Sequence, residues 1–251
     1  MSVFLSKQTI MSAPKLDILA LAAHPDDVEL SCGGTIAKYC SLGKKVGIVD
    51  FTMGQMGTKG NPELRMEESA NAAKAFGLAA RENLGLEDVF FENTIANRLK
   101  VVEVIRKYRP EILLINAPDD RHPDHGRAAE ISKAAVFLSG LVKVETISEG
   151  KPQEIWRPRV VYHYIQSKML QPDFVLDVSN YLEKRNKAIW AFKSQLHDPK
   201  SDELDTYISS PEFLKMLDAR GKMLGHSIGV EFAEGFIGIR KIGASDLFSL
   251  L

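Results

Sequence analysis

The sequence LDILALAAHPDDVEL, residues 16–30, decides the fold class of this chain. Its first part, residues 16–23, is a nearly continuous apolar run that is typical of a strand buried on both faces of a parallel sheet. Similar runs occur at residues 45–51 (KVGIVDF) and 112–116 (ILLIN), and amphipathic segments separate them. This alternation predicts an α/β fold, with a Rossmann-like, mostly parallel sheet that carries helices on both faces.

The rest of the chain continues the pattern without an obvious boundary. Helices are predicted at residues 32–42, 63–76, 95–108, 126–138, 181–195 and 212–224, and further strands at 159–165, 174–178 and 234–240. No internal repeat and no linker rich in Gly, Ser or Pro divides the sequence. We therefore predict an N-terminal tail over residues 1–15 and a single domain over residues 16–251.

The composition excludes several classes of protein. The 251 residues carry a formal net charge of -1, which gives no general attraction for nucleic acid or for an anionic membrane. Two cysteines are too few for a disulfide framework. No stretch approaches the roughly 18 consecutive apolar residues of a membrane helix, and the N-terminus lacks the features of a signal peptide. We predict a cytoplasmic protein with no nucleic-acid or membrane partner.

Two loops that follow predicted strands concentrate histidines and carboxylates. They read AHPDDVEL at residues 23–30 and DDRHPDH at residues 119–125. Ligands of parallel sheets bind beyond the carboxyl ends of the strands, which is where both loops are expected. Two imidazoles and one carboxylate with open coordination positions make a catalytic metal site, and His24, Asp27 and His125 supply that set.

The other polar residues of these loops suit metal-assisted hydrolysis. Asp26 is free to act as the base that takes a proton from the attacking water. His122 can stabilise a developing oxyanion or protonate the leaving group, held in its tautomer by a neighbouring carboxylate such as Asp124. A single His-Pro-Asp is also typical of a turn whose Asp caps a helix. Two such motifs after two parallel strands favour the catalytic interpretation.

Four motifs of this sequence resemble those of a known family. From residue 16 onward, the sequence resembles the LmbE/PIG-L family of zinc-dependent N-acetylglucosamine deacetylases. Within this family, it resembles the bacillithiol biosynthesis subgroup. The resemblance implies hydrolysis of the acetamide of N-acetylglucosaminyl malate to glucosaminyl malate and acetate. The motifs that carry it are AHPDDVELSCGG at 23–34, GTKGNPELRMEES at 57–69, RHPDH at 121–125 and GVEFAEGF at 229–236.

The resemblance also implies a cofactor, an assembly and a role for each site residue. The cofactor is Zn2+, with another divalent metal such as Fe2+ as the alternative, and relatives commonly form homo-oligomers, trimers or hexamers. The partner is a small amino-sugar substrate. The family pattern makes His24, Asp27 and His125 metal ligands, Asp26 the general base, and His122 the acid or oxyanion stabiliser that Asp124 orients.

Two arginines are candidates for substrate contact, and one aromatic residue departs from the family pattern. Arg65 matches a substrate-contacting arginine of the family. Arg121 is a candidate partner for the malate carboxylates, because a guanidinium binds carboxylates in a bidentate manner. Relatives often have an oxyanion-binding tyrosine where this chain has Phe213, which carries no hydroxyl group. Tyr207 lies nearby in sequence, and its role is left unassigned.

Several alternatives stay open on the sequence alone. Another N-acetylglucosaminide, such as a chitobiose-type sugar, is an alternative substrate. The same ligand set serves Fe(II) oxygenases, although those sites commonly lie on β barrels. A non-catalytic sugar-binding module would leave Asp26 without a role. Glu231 and Glu234 can pair with basic groups near the site or across a subunit interface.

Overall fold

The structure is a computed structural model and describes residues 13–250; of the tail predicted for residues 1–15, residues 1–12 lie outside this part. The strands are β1 (Ile18–Ala22), β2 (Val46–Thr52), β3 (Ala80–Leu86), β4 (Ile112–Ile115), β5 (Ile147–Ser148), β6 (Lys151–Pro152), β7 (Val160–Tyr164), β8 (Phe174–Asp177) and β9 (Ala233–Gly238). The helices are α1 (Asp27–Ser41), α2 (Pro62–Phe76), α3 (Ile95–Tyr108), α4 (Pro123–Ser139), α5 (Leu182–Ile189) and α6 (Phe213–His226).

Seven of the strands form one sheet, in the order β3-β2-β1-β4-β7-β9-β8. The first five strands in this order pair in parallel, whereas β9 pairs antiparallel with both β7 and β8. β5 and β6 form a separate antiparallel pair. The predicted mostly parallel α/β fold is confirmed.

The helices cover both faces of this sheet. Leu19 and Leu21 of β1 pack into a core with α3 and α4 on one face, while Ile18 and Ala20 pack with α1, α2 and α5 on the other. Consecutive side chains of a strand point to opposite faces, so β1 contributes to both cores and is apolar throughout. Within the described residues, no helix has the length and apolar character needed to cross a membrane.

β1 and β4 are neighbours at the centre of the sheet. Ile18 pairs with Ile112 and Ala20 pairs with Leu114, in parallel. The loops that leave the carboxyl ends of these two strands are the ones that carry the two His-Pro-Asp motifs of the sequence. Their side chains therefore meet at one edge of the sheet.

The strand β3 and the helix α5 differ from the sequence prediction. β3 was not predicted, because its sequence ARENLGL has no apolar run; it is an edge strand that pairs only with β2 in the sheet. The helix predicted at residues 181–195 is shorter, since α5 ends at Ile189 and a separate 3-10 turn follows at Lys193–Gln195.

Helix α1 begins at Asp27, earlier than predicted, and is broken at Cys32, where φ is -139° and ψ is 28°. The break frees backbone N–H groups at the start of the second segment. Those of Gly34 and Thr35 donate to the carboxylate of Glu234 from β9, each over 2.7 Å, and the Thr35 hydroxyl donates over 2.6 Å. The buried carboxylate of Glu234 thus caps the second segment of α1. These contacts are the partners of Glu234, which the sequence alone did not identify.

Candidate metal centre and active site

A pocket lies at the carboxyl ends of β1 and β4. His24, Asp26 and Asp27 reach it from the β1–α1 junction, and His122 and His125 reach it from the β4–α4 junction. The two His-Pro-Asp motifs therefore lie side by side although they are far apart in sequence. Arg65 and Arg121, the two arginines singled out in the sequence, line the same pocket.

The carboxylate of Asp27 lies between two imidazole rings. Its Oδ1 atom is 3.0 Å from Nε2 of His125, and its Oδ2 atom is 3.7 Å from Nδ1 of His24. Oδ2 also accepts hydrogen bonds from the His24 backbone N–H and from the side-chain amide of Asn116, over 3.0 Å and 3.1 Å. These two bonds fix the orientation of the carboxylate between the rings.

Further carboxylates lie behind both rings. Asp120 Oδ2 is 2.6 Å from Nδ1 of His125, while Asp88 and Asp124 lie 3.1 Å and 3.2 Å from Nε2 of His24. Each imidazole thus contacts a carboxylate through one nitrogen and presents the other nitrogen to Asp27. This is the arrangement by which proteins orient metal-binding histidines.

The donor set fits a divalent cation. The two ring nitrogens and the Asp27 carboxylate match the ligands that Zn2+ and Fe2+ take in catalytic sites. His24, His122 and His125 also offer nitrogen atoms within 4.8 Å of one another. Burial alone lowers the pKa of His125, but the Asp27 and Asp120 carboxylates raise this pKa to about 9. The surroundings are therefore strongly negative, as a cation site requires.

Asp26 occupies a strained position at the start of α1. Its φ is 107°, in the left-handed region that non-glycine residues rarely adopt. Burial raises the pKa of the Asp26 carboxyl to about 7; the Arg65 guanidinium opposes the rise, and the negative Asp27 adds to it. A carboxyl group with a pKa near neutrality can both accept and release a proton at physiological pH.

Arg65 is held beside Asp26 and is itself buried. Its Nη2 group donates to the Asp26 carboxylate over 3.3 Å and to the backbone oxygen of Pro25 over 2.9 Å. Its Nε atom has no hydrogen-bond partner within residues 13–250. The structure therefore adds to the predicted substrate contact a direct contact with the candidate base.

Asp124 contacts its neighbours differently from the prediction. Its carboxylate contacts His24, the backbone N–H of Val89 and the guanidinium of Arg127. It is the backbone N–H of Asp124, and not the carboxylate, that donates to Nδ1 of His122, over 3.3 Å. An N–H donor at Nδ1 requires the tautomer that carries its proton on Nε2.

The surroundings of His122 favour its neutral form. Burial lowers the pKa of His122, and the neighbouring His24 and His125 rings lower it further. The ring of His122 packs against both of them, with centroids 4.7 Å and 5.2 Å away. A neutral imidazole with a proton on Nε2 is a hydrogen-bond donor at the pocket.

The pocket wall includes the aromatic residues that the sequence left in question. Phe213, at the start of α6, and Tyr207 both line the pocket and contact each other edge to face, with ring centroids 5.4 Å apart. The Arg121 guanidinium lies over the Tyr207 ring, 4.2 Å from its centroid. Tyr207 is 42% exposed and carries the hydroxyl group that Phe213 lacks.

Comparisons with known proteins identify the family. The PIG-L family model, whose description is GlcNAc-PI de-N-acetylase, matches residues 19–136. The uncharacterized deacetylase YaiS of Escherichia coli K12 is 34% identical over 144 residues, which cover 53% of this chain and 70% of YaiS. The chain belongs to the PIG-L family.

Two further relatives extend the similarity over most of the chain. The diacetylchitobiose deacetylase of Thermococcus kodakarensis is 29% identical over 233 residues, covering 87% of this chain and 83% of that enzyme. The crystal structure of the conserved protein TT1542 from Thermus thermophilus superposes with a TM-score of 0.81 and 33% identity. It covers 91% of this chain and 97% of the other. The similarity to known proteins thus extends beyond the segment that the family model matches.

Some residues of this PIG-L site were not singled out in the sequence. Asp88 follows β3, the strand that was not predicted, so nothing placed it near the pocket. Asp120 stands in the second loop, and its position between β4 and the second His-Pro-Asp motif was a signal, but its contact with His125 depends on the geometry of the turn. Asn116 and Gln166, which hydrogen bond to each other, have no motif around them, although Gln166 lines the pocket.

Proposed function

We propose that this protein is a zinc-dependent N-deacetylase that hydrolyses the acetamide of N-acetylglucosaminyl malate, giving glucosaminyl malate and acetate, in bacillithiol biosynthesis. The observation that carries the proposal is the position of Asp27 between His24 and His125, with Asp26 next to it in the same pocket. Membership of a deacetylase family supports hydrolysis over oxygen chemistry and over a non-catalytic sugar-binding role.

Each residue of the pocket has a separate role in the proposed amide hydrolysis. A divalent cation held by His24, Asp27 and His125 supplies Lewis-acid activation of water and of a carbonyl group. Asp26 accepts the proton that water loses on attack, and its pKa of about 7 allows it to release that proton again to the leaving amine. His122, neutral and protonated on Nε2, donates a hydrogen bond to the negative oxygen that develops at the acetyl carbon.

The environment of Arg121 favours a substrate that carries a negative charge. Its guanidinium has no ion pair or side-chain hydrogen bond among the described residues, and it stacks on Tyr207 at the wall of the pocket. A free guanidinium suits bidentate binding of a carboxylate, which malate provides and a neutral sugar does not. Diacetylchitobiose, the substrate named for one relative, is the second candidate because that relative covers most of the chain.

Acetate release from three compounds tests this function. N-Acetylglucosaminyl malate, diacetylchitobiose and free N-acetylglucosamine are compared on protein whose metal content has been measured. We expect the highest kcat/KM for the malate compound. A higher kcat/KM for diacetylchitobiose overturns the malate assignment, and acetate release from none of the three overturns the deacetylase assignment. Oxygen uptake with iron-loaded protein is the control for oxygenase chemistry.

We also propose that the protein is a homo-oligomer, a trimer or a hexamer, on the basis of its resemblance to the family. Large apolar side chains that are exposed in the single chain are consistent with this assembly, among them Phe137, Val142 and Ile147, which are 61%, 77% and 64% exposed. The mass in solution, measured by light scattering, tests it, and a monomer contradicts it.

A further inference from the structure

Gln166 lies at the wall of the pocket, two residues after the end of β7. It is only 4% exposed, yet it lines the pocket. Its backbone oxygen accepts a hydrogen bond from the guanidinium of Arg220, which also donates to the backbone oxygen of Leu30 over 3.2 Å. The backbone of Gln166 is thus held in place by a side chain of α6, which lines the same pocket.

The hydrogen bonds of the Gln166 side chain identify which of its two amide atoms is the oxygen, Oε1, and which is the nitrogen, Nε2. Oε1 of Gln166 accepts from the backbone N–H of Ala117 over 3.0 Å and from Nδ2 of Asn116 over 3.1 Å. A backbone N–H can only donate, so the atom that it contacts must be the oxygen. The same Asn116 amide also donates to Oδ2 of Asp27, over 3.1 Å, which places Gln166 beside the metal site.

The amide nitrogen of Gln166 is left without an acceptor. Within residues 13–250, Nε2 has no hydrogen-bond partner, although the side chain is almost fully buried at the pocket. Gln195 lines the same pocket and differs, because its Nε2 donates to the Lys59 backbone oxygen over 2.9 Å and to the Ser194 hydroxyl over 2.8 Å. Gln166 Nε2 is thus accessible at the pocket wall, where a water molecule can accept its hydrogen bond in the free protein and an oxygen atom of a ligand can replace that water.

We propose that Gln166 is a substrate-binding residue whose Nε2 group donates a hydrogen bond to an oxygen atom of the bound N-acetylglucosaminide. The acceptor is the acetyl oxygen or a sugar hydroxyl, since both are oxygen acceptors within an amino sugar. This inference rests on the proposed deacetylase function. The internal bonds to Oε1 orient the amide before the substrate arrives, so little side-chain entropy is lost on binding.

Two substitutions separate substrate binding from a purely structural role. Gln166→Glu keeps an oxygen to accept from Ala117 and Asn116 but replaces the donor, whereas Gln166→Met removes both. Substrate binding predicts that KM rises by about tenfold or more in both variants, with a smaller change in kcat. A structural role predicts that Gln166→Glu behaves as wild type. Metal content and Tm of Gln166→Glu are measured alongside and are expected to match the wild type.

Gln153→Glu is the matched control, because Gln153 donates to the Glu103 backbone oxygen outside the pocket. It makes the same amide-to-carboxylate change and is expected to leave KM within about twofold of wild type. A wild-type KM for Gln166→Glu together with an impaired Gln166→Met overturns the proposal.

A binding measurement separates failure of this inference from failure of the proposed function. Calorimetric titration with N-acetylglucosamine and with glucosamine is carried out on the wild type and on Gln166→Glu. Weaker binding of N-acetylglucosamine alone identifies the acetyl oxygen as the acceptor, and weaker binding of both sugars identifies a hydroxyl. Equal binding to the two proteins, including binding to neither, overturns the inference. If the wild type releases no acetate, the proposed function fails, and this titration still decides the role of Gln166.

Discussion

Oδ2 of Asp120 lies 2.6 Å from Nδ1 of His125, and the Asp120 side chain is completely buried. The other oxygen of Asp120 accepts a hydrogen bond from the backbone N–H of Lys168 over 2.6 Å, so both oxygen atoms of the carboxylate have a partner. The ring of His125 is thereby fixed with Nε2 towards Asp27. The loop after β7 thus helps to orient a ligand that comes from the loop after β4.

We expect Asp120→Asn to weaken zinc binding by about 10–100-fold, because an amide orients the His125 ring less strongly than a carboxylate does. Competition with a fluorescent chelator measures the affinity. Asp119→Asn is the matched control: Asp119 is the neighbouring residue, but its side chain is 64% exposed and pairs with the Lys168 ammonium. Equal zinc affinities for the two variants would contradict the role of Asp120.

Asp26→Asn is expected to lower kcat for acetate release by about 10²–10⁴-fold, because an amide cannot accept the proton of the attacking water. Asparagine is preferred to alanine here, since Asn tolerates the left-handed backbone that Asp26 adopts. Metal stoichiometry and Tm report whether the site and the fold survive. Turnover close to that of the wild type, with metal bound, would remove Asp26 as the base.

Arg121→Ala is expected to raise KM for N-acetylglucosaminyl malate by about 10–100-fold, the effect of losing charge-assisted hydrogen bonds to a carboxylate. KM for free N-acetylglucosamine, which carries no carboxylate, is expected to change little. Steady-state kinetics on both compounds provide the measurement. Arg240→Ala, at an exposed arginine that donates to the Arg159 backbone oxygen, is the control. An equal rise in KM for both compounds would argue against carboxylate recognition by Arg121.

Glu234→Gln is expected to lower the free energy of unfolding by about 1–3 kcal/mol, because an amide leaves at least one of the donors on Gly34 or Thr35 without an acceptor. Urea denaturation followed by circular dichroism measures the change. Glu231→Gln is the natural comparison, since Glu231 is exposed and only three residues away. A loss of stability of the same size in both variants would show that the internal cap contributes little.

The sequence was informative about this fold where burial is uniform along a segment. The strands at the centre of the sheet, β1, β2 and β4, are apolar on both faces and were predicted within two residues of their observed ends. β3 lies at the edge, where polar side chains are accommodated, and no periodic pattern marks it. The break in α1 at Cys32 was also missed, because the carboxylate that caps it comes from the other end of the chain.

The candidate site, like the fold, could be predicted from the sequence only in part. The ligand set was predictable, because two short motifs follow two parallel strands and the carboxyl ends of those strands share one edge of the sheet. The contacts between side chains were not predictable, since they depend on loop geometry. Asp124 illustrates this, because its backbone contacts His122 while its carboxylate contacts His24. Asp88 was missed together with the strand that precedes it.

The pairing of β1 with β4 has a consequence for how the chain folds. Ile18 pairs with Ile112, a longer separation in sequence than that of any other neighbouring strands in the seven-stranded sheet, such as Tyr162 with Gly238. Contacts of high sequence separation carry a large loop-closure entropy and form slowly. His24 and His125 lie on the loops that leave these two strands, so we expect them to meet only when the strands have paired. We therefore expect high-affinity metal binding to be regained during refolding only when β1 and β4 have paired. The time at which metal binding returns would then report when this long-range contact forms.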